Sequence, residues 1–182
     1  MRYQQTIRLK NGETCLIRSG GADDARAVYD NFNLTHAQTD FLLSYPDENS
    51  FTVAQEAEFL ARREENPQEV MLCAFLRDDL VGTAGIEAVG GKNKVRHRAE
   101  FGISIEKEFW GLGIGRALTA ACIECARKAG YHQLELDVVG ENAAAIALYE
   151  SLGFVEYGRN PKGFRSRHTG WQELVLMRLE LS

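Results

Sequence analysis

The chain has 182 residues, of which 45% are apolar and 26% charged, a composition typical of one globular domain spanning residues 1–182. Its net charge of -5 disfavours a general nucleic-acid binder, which would need a basic surface. No apolar run approaches the roughly 18 residues of a membrane span, and the first residues lack the apolar region of a signal peptide. We therefore expect a cytoplasmic protein with neither membrane nor nucleic-acid partners.

Hydrophobic periodicity and turn residues predict two strands, two helices, three strands, a helix, a strand, a helix and two strands, in that order. The predicted ranges are 5–20 for the first hairpin, 21–38 and 52–67 for the first two helices, 69–89 and 98–106 for the next strands, 113–130 for a long helix, 132–139 for a strand, 142–153 for a short helix, and 154–160 and 171–181 for the last strands. One mixed sheet flanked by helices, an α/β (α+β) architecture, is the natural packing.

Three glycines at alternate positions, Gly111, Gly113 and Gly115, separate a predicted strand from the long helix. Glycine allows a close backbone approach, and a helix start offers unpaired N–H groups, so this segment predicts a phosphate site. The spacing does not fit the dinucleotide pattern G-x-G-x-x-G, because Arg116 or Leu118 stands at the position of the third glycine. It does not fit a P-loop either, because Arg116 follows Gly115 where a P-loop has lysine. A tight packing turn without a ligand is the alternative.

Residues 103–118, ISIEKEFWGLGIGRAL, resemble the signature of the GNAT (GCN5-related) N-acetyltransferases, which use acetyl-CoA. Gly113 and Gly115 match its two small residues, whereas Trp110 stands where the signature has Arg or Gln. Phosphate contacts in that family are mainly to backbone, so we expect binding to survive this departure. A second family motif is matched by Asn142, Ala145, Leu148, Tyr149, Gly153 and Phe154. Within the superfamily the chain looks most like the RimJ/RimL-like and small-molecule branches.

The resemblance implies a mostly antiparallel sheet, splayed at a bulged strand around residues 98–105 with the bulge near Gly102. It implies a pantetheine arm held by main-chain groups of that strand and a pyrophosphate held at the helix start. It also implies a proton for the departing thiolate from Tyr149. The implied cofactor-binding residues are Ile103, Ser104, Ile105, Leu112, Gly113, Ile114, Gly115, Arg116, Asn142, Ala145 and Tyr149.

The general base is less defined, and Glu100 is the first candidate because strand alternation places it on the same face as Gly102. Glu87, His97 or a chain of water molecules are the alternatives. Cys122 and Cys125 form C-x-x-C inside a predicted helix without a second pair, so we expect no metal site. They read as buried thiols, although either could lie near the site and serve a covalent route.

The expected function is transfer of acetyl from acetyl-CoA to a primary amine by direct attack in a ternary complex. The alternative is a non-catalytic acyl-CoA-binding or sensing module with the same fold. We expect a small-molecule acceptor rather than a protein, chosen by the first two helices, the loop 40–51 and the last hairpin. Asp40, Asp47 and Glu48 could hold a cationic amine or form a solvated loop.

Three further features stay open at this level. The basic segments 92–98 and 159–168 could aid cofactor phosphates, bind an acidic partner or be solvated hairpin tips. Trp171 reads as core or as a wall of the substrate pocket. Many relatives dimerise, which leaves a homodimer open.

Overall fold

The computed structural model describes residues 1–181, in which an eight-stranded sheet carries helices on both faces. The order of the twelve predicted helices and strands is confirmed. Their bounds are β1 Gln4–Arg8, β2 Thr14–Ser19, α1 Ala25–Gln38, α2 Val53–Glu65, β3 Val70–Leu76, β4 Asp79–Ala88, β5 Arg98–Ile105, α3 Ile114–Lys128, β6 Gln133–Val139, α4 Ala143–Ser151, β7 Val155–Ser166 and β8 Gly170–Glu180. None of the helices in residues 1–181 is long and apolar enough to cross a membrane.

The strand order is β1-β2-β3-β4-β5-β6-β8-β7, and all neighbours are antiparallel except β5 and β6. The parallel pair is short: it runs from Arg98 opposite Gln133 to Glu100 opposite Glu135 and then ends. Beyond that point β5 stays paired with β4 and β6 with β8, so the sheet opens between them. We call this opening the splay, and it confirms the predicted splayed, mostly antiparallel sheet.

The predicted bulge near Gly102 is wrong. The register of β4 with β5 is continuous from Ala88 opposite Ala99 to Gly82 opposite Ile105. The irregularity lies instead in the neighbouring β3–β4 pair. There Val81 is an extra residue of β4, because Ala74 lies opposite Gly82 and Phe75 lies opposite Leu80. Because β5 and β6 each keep a full partner on their outer side, they can diverge without interrupting the β4–β5 pairing.

The larger core lies between the sheet and the α3–α4 layer. From β5 it includes Ala99 and Phe101, with Ile103 and Ile105 packed against it, and from α3 it includes Ile114, Leu118 and Cys122. A smaller core under α1 and α2 contains Val28 and Leu60. Alternation along β5 therefore turns Phe101, Ile103 and Ile105 toward α3 and α4, and Glu100, Gly102 and Ser104 toward the opposite face.

The segment between the last two predicted strands, residues 161–170, is mostly strand, because β7 continues to Ser166. Pro161 is tolerated because β7 is an edge strand, and the register shifts between Asn160 and Phe164. A Cβ on Gly163 would overlap the side chain of Leu174, so the two strands approach each other closely there. The connection itself is only residues 167–169.

Candidate active site

Unpaired backbone groups line the β5 side of the splay. Glu106 N–H donates to Val81 C=O at 3.0 Å and Val89 N–H to Arg98 C=O at 3.1 Å. These bonds place the backbone groups of the even-numbered residues of β5 toward β4. The N–H and C=O groups of Ile103 and Ile105 therefore point into the splay, and their role in holding a cofactor stays a prediction.

The glycine loop and the start of α3 lie directly after this strand. Gly111 and Gly113 have φ of 77° and 103°, a left-handed conformation that favours glycine. Within residues 1–181, the first helical bond here is from Ala117 N–H to Gly113 C=O at 3.1 Å, and the N–H groups of residues 112–116 have no backbone partner. This run of free donors at a helix start is the geometry that binds phosphate.

The loop is supported from two sides. Lys10, in the first hairpin turn, donates its N–H to Leu112 C=O at 3.1 Å. A Cβ on Gly115 would lie 3.4 Å from side chains of Ile105 and Leu148, so this glycine allows α3 to pack closely on β5 and α4. The exposed Arg116 guanidinium donates to Ser151 Oγ at 2.8 Å.

Trp110 has a partner that the sequence did not reveal. Its indole Nε1 donates to Ile105 C=O at 2.7 Å. Of the two backbone groups of Ile105 that we expected to serve the cofactor, the carbonyl is thus already bonded and the N–H remains. The departure from the family signature at position 110 was the only signal in the sequence that pointed to this residue.

Asn142 and Tyr149 lie on α4, beside the splay. Asn142 caps the helix, with its side chain accepting from Ala145 N–H at 3.3 Å, and its amide NH₂ is not used by this bond. The Tyr149 ring lies against Phe101 of β5 and Phe154, with centroid distances of 6.0 and 5.8 Å. Burial raises the pKa of Tyr149 to about 12. Its hydroxyl has no partner within residues 1–181, yet it is not a fully buried atom, so solvent reaches the oxygen.

Glu100 lies on the opposite face of β5 from Tyr149, at the point where the strands diverge. Burial, followed by the neighbouring carboxylates of Glu87, Glu135 and Asp137, raises the pKa of Glu100. Within residues 1–181 Glu100 forms no salt bridge. Glu100 is exposed, and an unpaired carboxylate with a raised pKa is a better proton acceptor than one with an ordinary pKa.

The rival bases are placed less favourably. Glu87 is ion-paired with Arg63 of α2. His97 is exposed in the turn before β5, and its carbonyl accepts from His132 N–H at 2.9 Å, at the closed end of the β5–β6 pair. Asp137, exposed on the β6 side of the splay, was not among the sequence candidates, and burial followed by Glu135 raises its pKa.

The loop after α1 packs on the β7–β8 turn through Asp40. One carboxylate oxygen accepts from Ser166 Oγ at 2.6 Å and from Thr169 Oγ1 at 3.0 Å, and the other from Tyr45 at 3.3 Å. Its backbone carbonyl accepts from Gln172 Nε2 at 3.1 Å. Asp40 therefore joins the two segments and is not free to hold an amine.

The other two acidic candidates are also paired, since Arg167 contacts Asp47 at 2.8 Å and Glu48 at 3.7 Å. In this structure the three loop carboxylates bind groups of the protein itself, and a role for them in holding a cationic acceptor stays a prediction. Between the same two segments lies an open cleft of about 320 Å³, lined by His36, Ala37, Gln38, Thr39, Asp40, Tyr45, Pro46 and His168. Gln38 also accepts from the N–H of Lys107, just beyond β5, at 2.8 Å, which links this wall to the splay.

The basic segments and Trp171 face solvent. Residues 92–94, 96 and 97 are exposed turn residues, and Arg159 pairs with Glu156 and Glu173. Trp171 is 56% exposed beneath the cations of Lys162 and Arg165, so it is not core.

The cysteines lie away from the chemistry. Cys122 is fully buried and eight residues into α3, roughly 12 Å from its start. Burial raises the pKa of Cys122, and that of Cys125 to about 11, so neither is a ready nucleophile. Within residues 1–181 no three His, Cys, Asp or Glu side chains are grouped as a metal site.

Comparisons with known proteins agree with this geometry. Residues 33–154 match the model of the acetyltransferase (GNAT) family. An L-amino acid N-acyltransferase of Escherichia coli K12 is 31% identical over 47% of this chain and 49% of its own length. The ribosomal protein bS18-alanine N-acetyltransferase of the same organism is 38% identical over 45% of this chain and 55% of its own. The chain thus spans about half the length of these curated relatives.

Solved structures extend the similarity to nearly the whole chain. A GNAT-family acetyltransferase from Streptococcus pneumoniae superposes with a TM-score of 0.87 and 29% identity, over 91% of this chain and 99% of that one. A Salmonella typhimurium protein solved with its cofactor acetyl-CoA has a TM-score of 0.81 and 22% identity, over 92% of this chain and 94% of that one. The family match covers well over half of the residues, and the chain therefore belongs to the GNAT acetyltransferase family.

Proposed function

We propose that this protein transfers the acetyl group of acetyl-CoA to a primary amine by direct attack in a ternary complex. The observation that carries the proposal is the splay, which has Tyr149 on one face and Glu100 on the other. The thioester would lie between them. Family membership and the acetyl-CoA bound to the Salmonella typhimurium neighbour support the choice of cosubstrate.

The cofactor would contact two adjacent elements. Its pyrophosphate would accept from the free N–H groups of residues 112–116 at the start of α3. Its pantetheine amides would bond to the C=O of Ile103 and to the N–H of Ile105 as an added strand does, and the amide of Asn142 would contact the same arm. The hydroxyl of Ser104 would not contact the cofactor, because it lies on the other face of the sheet, 3.4 Å from Thr83 Oγ1. Ser104 would serve only as the residue of β5 between Ile103 and Ile105.

The two faces of the sheet divide the proton transfers. The amine would approach from the Glu100 face, lose a proton to that carboxylate and form the C–N bond as the carbonyl becomes an oxyanion. The N–H of Ile103 points into the splay and would stabilise the oxyanion, whereas that of Gly102 is bonded to β4. As the C–S bond breaks, the thiolate would receive a hydrogen bond from Tyr149 on the other face.

The acceptor would enter through the cleft between α1, the loop after it and the β7–β8 turn. Its volume of about 320 Å³ is at the lower end of the range for small-molecule sites, and a small amine would fit it. The named activities of the relatives, on L-amino acids and on a ribosomal protein alanine, give the first compounds to screen.

The experiment is a thermal shift followed by turnover. Acetyl-CoA should raise Tm with its saturation, while NAD should not. Amines would then be screened for release of CoA thiol, with Tyr149→Phe as the inactive reference. Binding without turnover on any amine would support the alternative, a non-catalytic acyl-CoA module. No Tm shift at millimolar acetyl-CoA would refute the proposed cosubstrate.

A further inference from the structure

Trp110 satisfies a strand carbonyl that no neighbouring strand reaches. Ile105 is the last residue of β5, and its carbonyl points into the splay, beyond the residues that pair with β6. The indole Nε1 of Trp110 lies 2.7 Å from this oxygen. Trp110 is 44% exposed, so its ring lies at the rim of the splay rather than in the core.

The same residue begins the glycine loop. Gly111 and Gly113 carry no side chain that could hold the loop to the strand. Its main-chain hydrogen bonds join it to the first hairpin and to the turn after β5, from Lys10 N–H to Leu112 C=O at 3.1 Å and from Trp110 N–H to Lys107 C=O at 3.3 Å. Among residues 110–113, the Trp110 indole is the one side chain that hydrogen-bonds to β5 in the described chain.

We propose that Trp110 is a positioning residue that fixes the distance between the phosphate-binding loop and the edge of β5. A ligand that contacts both elements at once depends on this distance, whereas a ligand that contacts the loop alone does not. The indole is neutral, so Trp110 itself adds no charge to the anion site, although Lys107 Nζ lies 6.0 Å from the centre of its ring. The N–H groups of residues 112–116 are the donors that we assign to the phosphates. The inference rests on the proposed binding of acetyl-CoA.

The test compares two probes by calorimetry. Acetyl-CoA spans loop and strand, whereas adenosine 3′,5′-bisphosphate carries the phosphorylated nucleotide without the pantetheine arm. Trp110→Phe keeps an aromatic ring and removes the donor. We expect its acetyl-CoA Kd to rise about tenfold, the effect of losing a hydrogen bond to an oxygen left without a partner, and its bisphosphate Kd to change less than twofold.

Trp171→Phe is the matched control, since Trp171 is also exposed and lies on β8. It should leave both Kd values unchanged. Benzothienylalanine at position 110 replaces the indole N–H by sulfur at nearly constant shape, and it should reproduce the effect of Trp110→Phe on both Kd values.

An acetyl-CoA Kd within twofold of wild type in both position-110 variants would overturn the inference. An equal loss for the two probes would also overturn it, because the loop itself would then be damaged. Failure of the wild-type protein to bind acetyl-CoA would instead refute the proposed function, so the two failures are distinguishable.

Discussion

Replacing Tyr149 by Phe tests the assignment of the acid with little effect on the fold. The hydroxyl has no hydrogen-bond partner within residues 1–181, and the ring that packs on Phe101 and Phe154 is retained. We therefore expect the free energy of unfolding to change by less than about 0.5 kcal/mol. The acetyl-CoA Kd should also stay close to that of wild type.

The size of the catalytic effect follows from the raised pKa. With a pKa of about 12, the phenol is a much weaker acid than an alkyl thiol of pKa about 8.5. Complete proton transfer to the thiolate would therefore be uphill by roughly 5 kcal/mol at about 1.4 kcal/mol per unit. Tyr149 would act mainly as a hydrogen-bond donor to the developing charge, which is worth about 1.5–3 kcal/mol. The expected fall in kcat is about 10²-fold, at the low end of the range for general acids, ~10²–10⁴-fold.

The assay is steady-state thiol release at saturating acetyl-CoA, with Tyr131→Phe as the control. Tyr131 is also a buried tyrosine whose hydroxyl lacks a partner, but it lies between α3 and β6, at the paired end of the sheet. The control should keep wild-type kcat. A kcat for Tyr149→Phe within threefold of wild type would refute the assignment of Tyr149 as the donor.

Three further substitutions test the base, the loop and the acceptor wall. Glu100→Gln should lower kcat/KM about 10²-fold at pH 7 and remove the decline of kcat/KM at acid pH. Because the folded-state pKa of Glu100 is raised, its ionisation lowers the stability of the folded protein above that pKa. The Tm of the variant at pH 7 should therefore not fall. A fall in Tm with unchanged kcat/KM would contradict the base assignment. Gly113→Ala should cost about 1–2 kcal/mol of stability because its φ is 103°, and should weaken acetyl-CoA binding, whereas Gly91→Ala, in open surroundings without a positive φ, should do neither. Burial alone would raise the pKa of Asp40, but its hydrogen bonds lower that pKa overall. Asp40→Asn should therefore lower the free energy of unfolding by about 1 kcal/mol at pH 7. This difference from wild type should vanish as pH falls through the folded-state pKa of Asp40. Asp30→Asn, in an exposed i,i+4 pair, should change stability little; an equal loss in both Asp variants would contradict the role of Asp40 as the link.

Local signals predicted most of the fold. The Asn11-Gly12 turn, the Thr52 and Asn142 caps and the positive-φ glycines depend on backbone geometry within a few residues, which a local sequence pattern can encode. The sequence pattern failed where a distant strand decided the outcome. Pro161 indicated a loop, but β7 lies at the sheet edge, where a missing N–H breaks no ladder.

The candidate site divides in the same way. The two family motifs located Tyr149 and the glycine loop, because phosphate binding at a helix start requires a local sequence. No local pattern could show that Asp40 would be bonded to a turn 126 to 132 residues away, or that Glu87 would be neutralised by an arginine of α2. These pairings depend on which surfaces the packed sheet brings together.

The sequence by itself determined the order of helices and strands and the position of the glycine loop, and it named the aromatic acid candidate, since each is encoded within a few consecutive residues. Only the tertiary structure decided where β5 leaves β6, and therefore which backbone groups stay free for a ligand. It also decided that Trp110 occupies one of these groups and that Glu100 and Tyr149 face the splay from opposite sides. Strand register sets these relations, and register is a property of pairs of segments that are far apart in the chain.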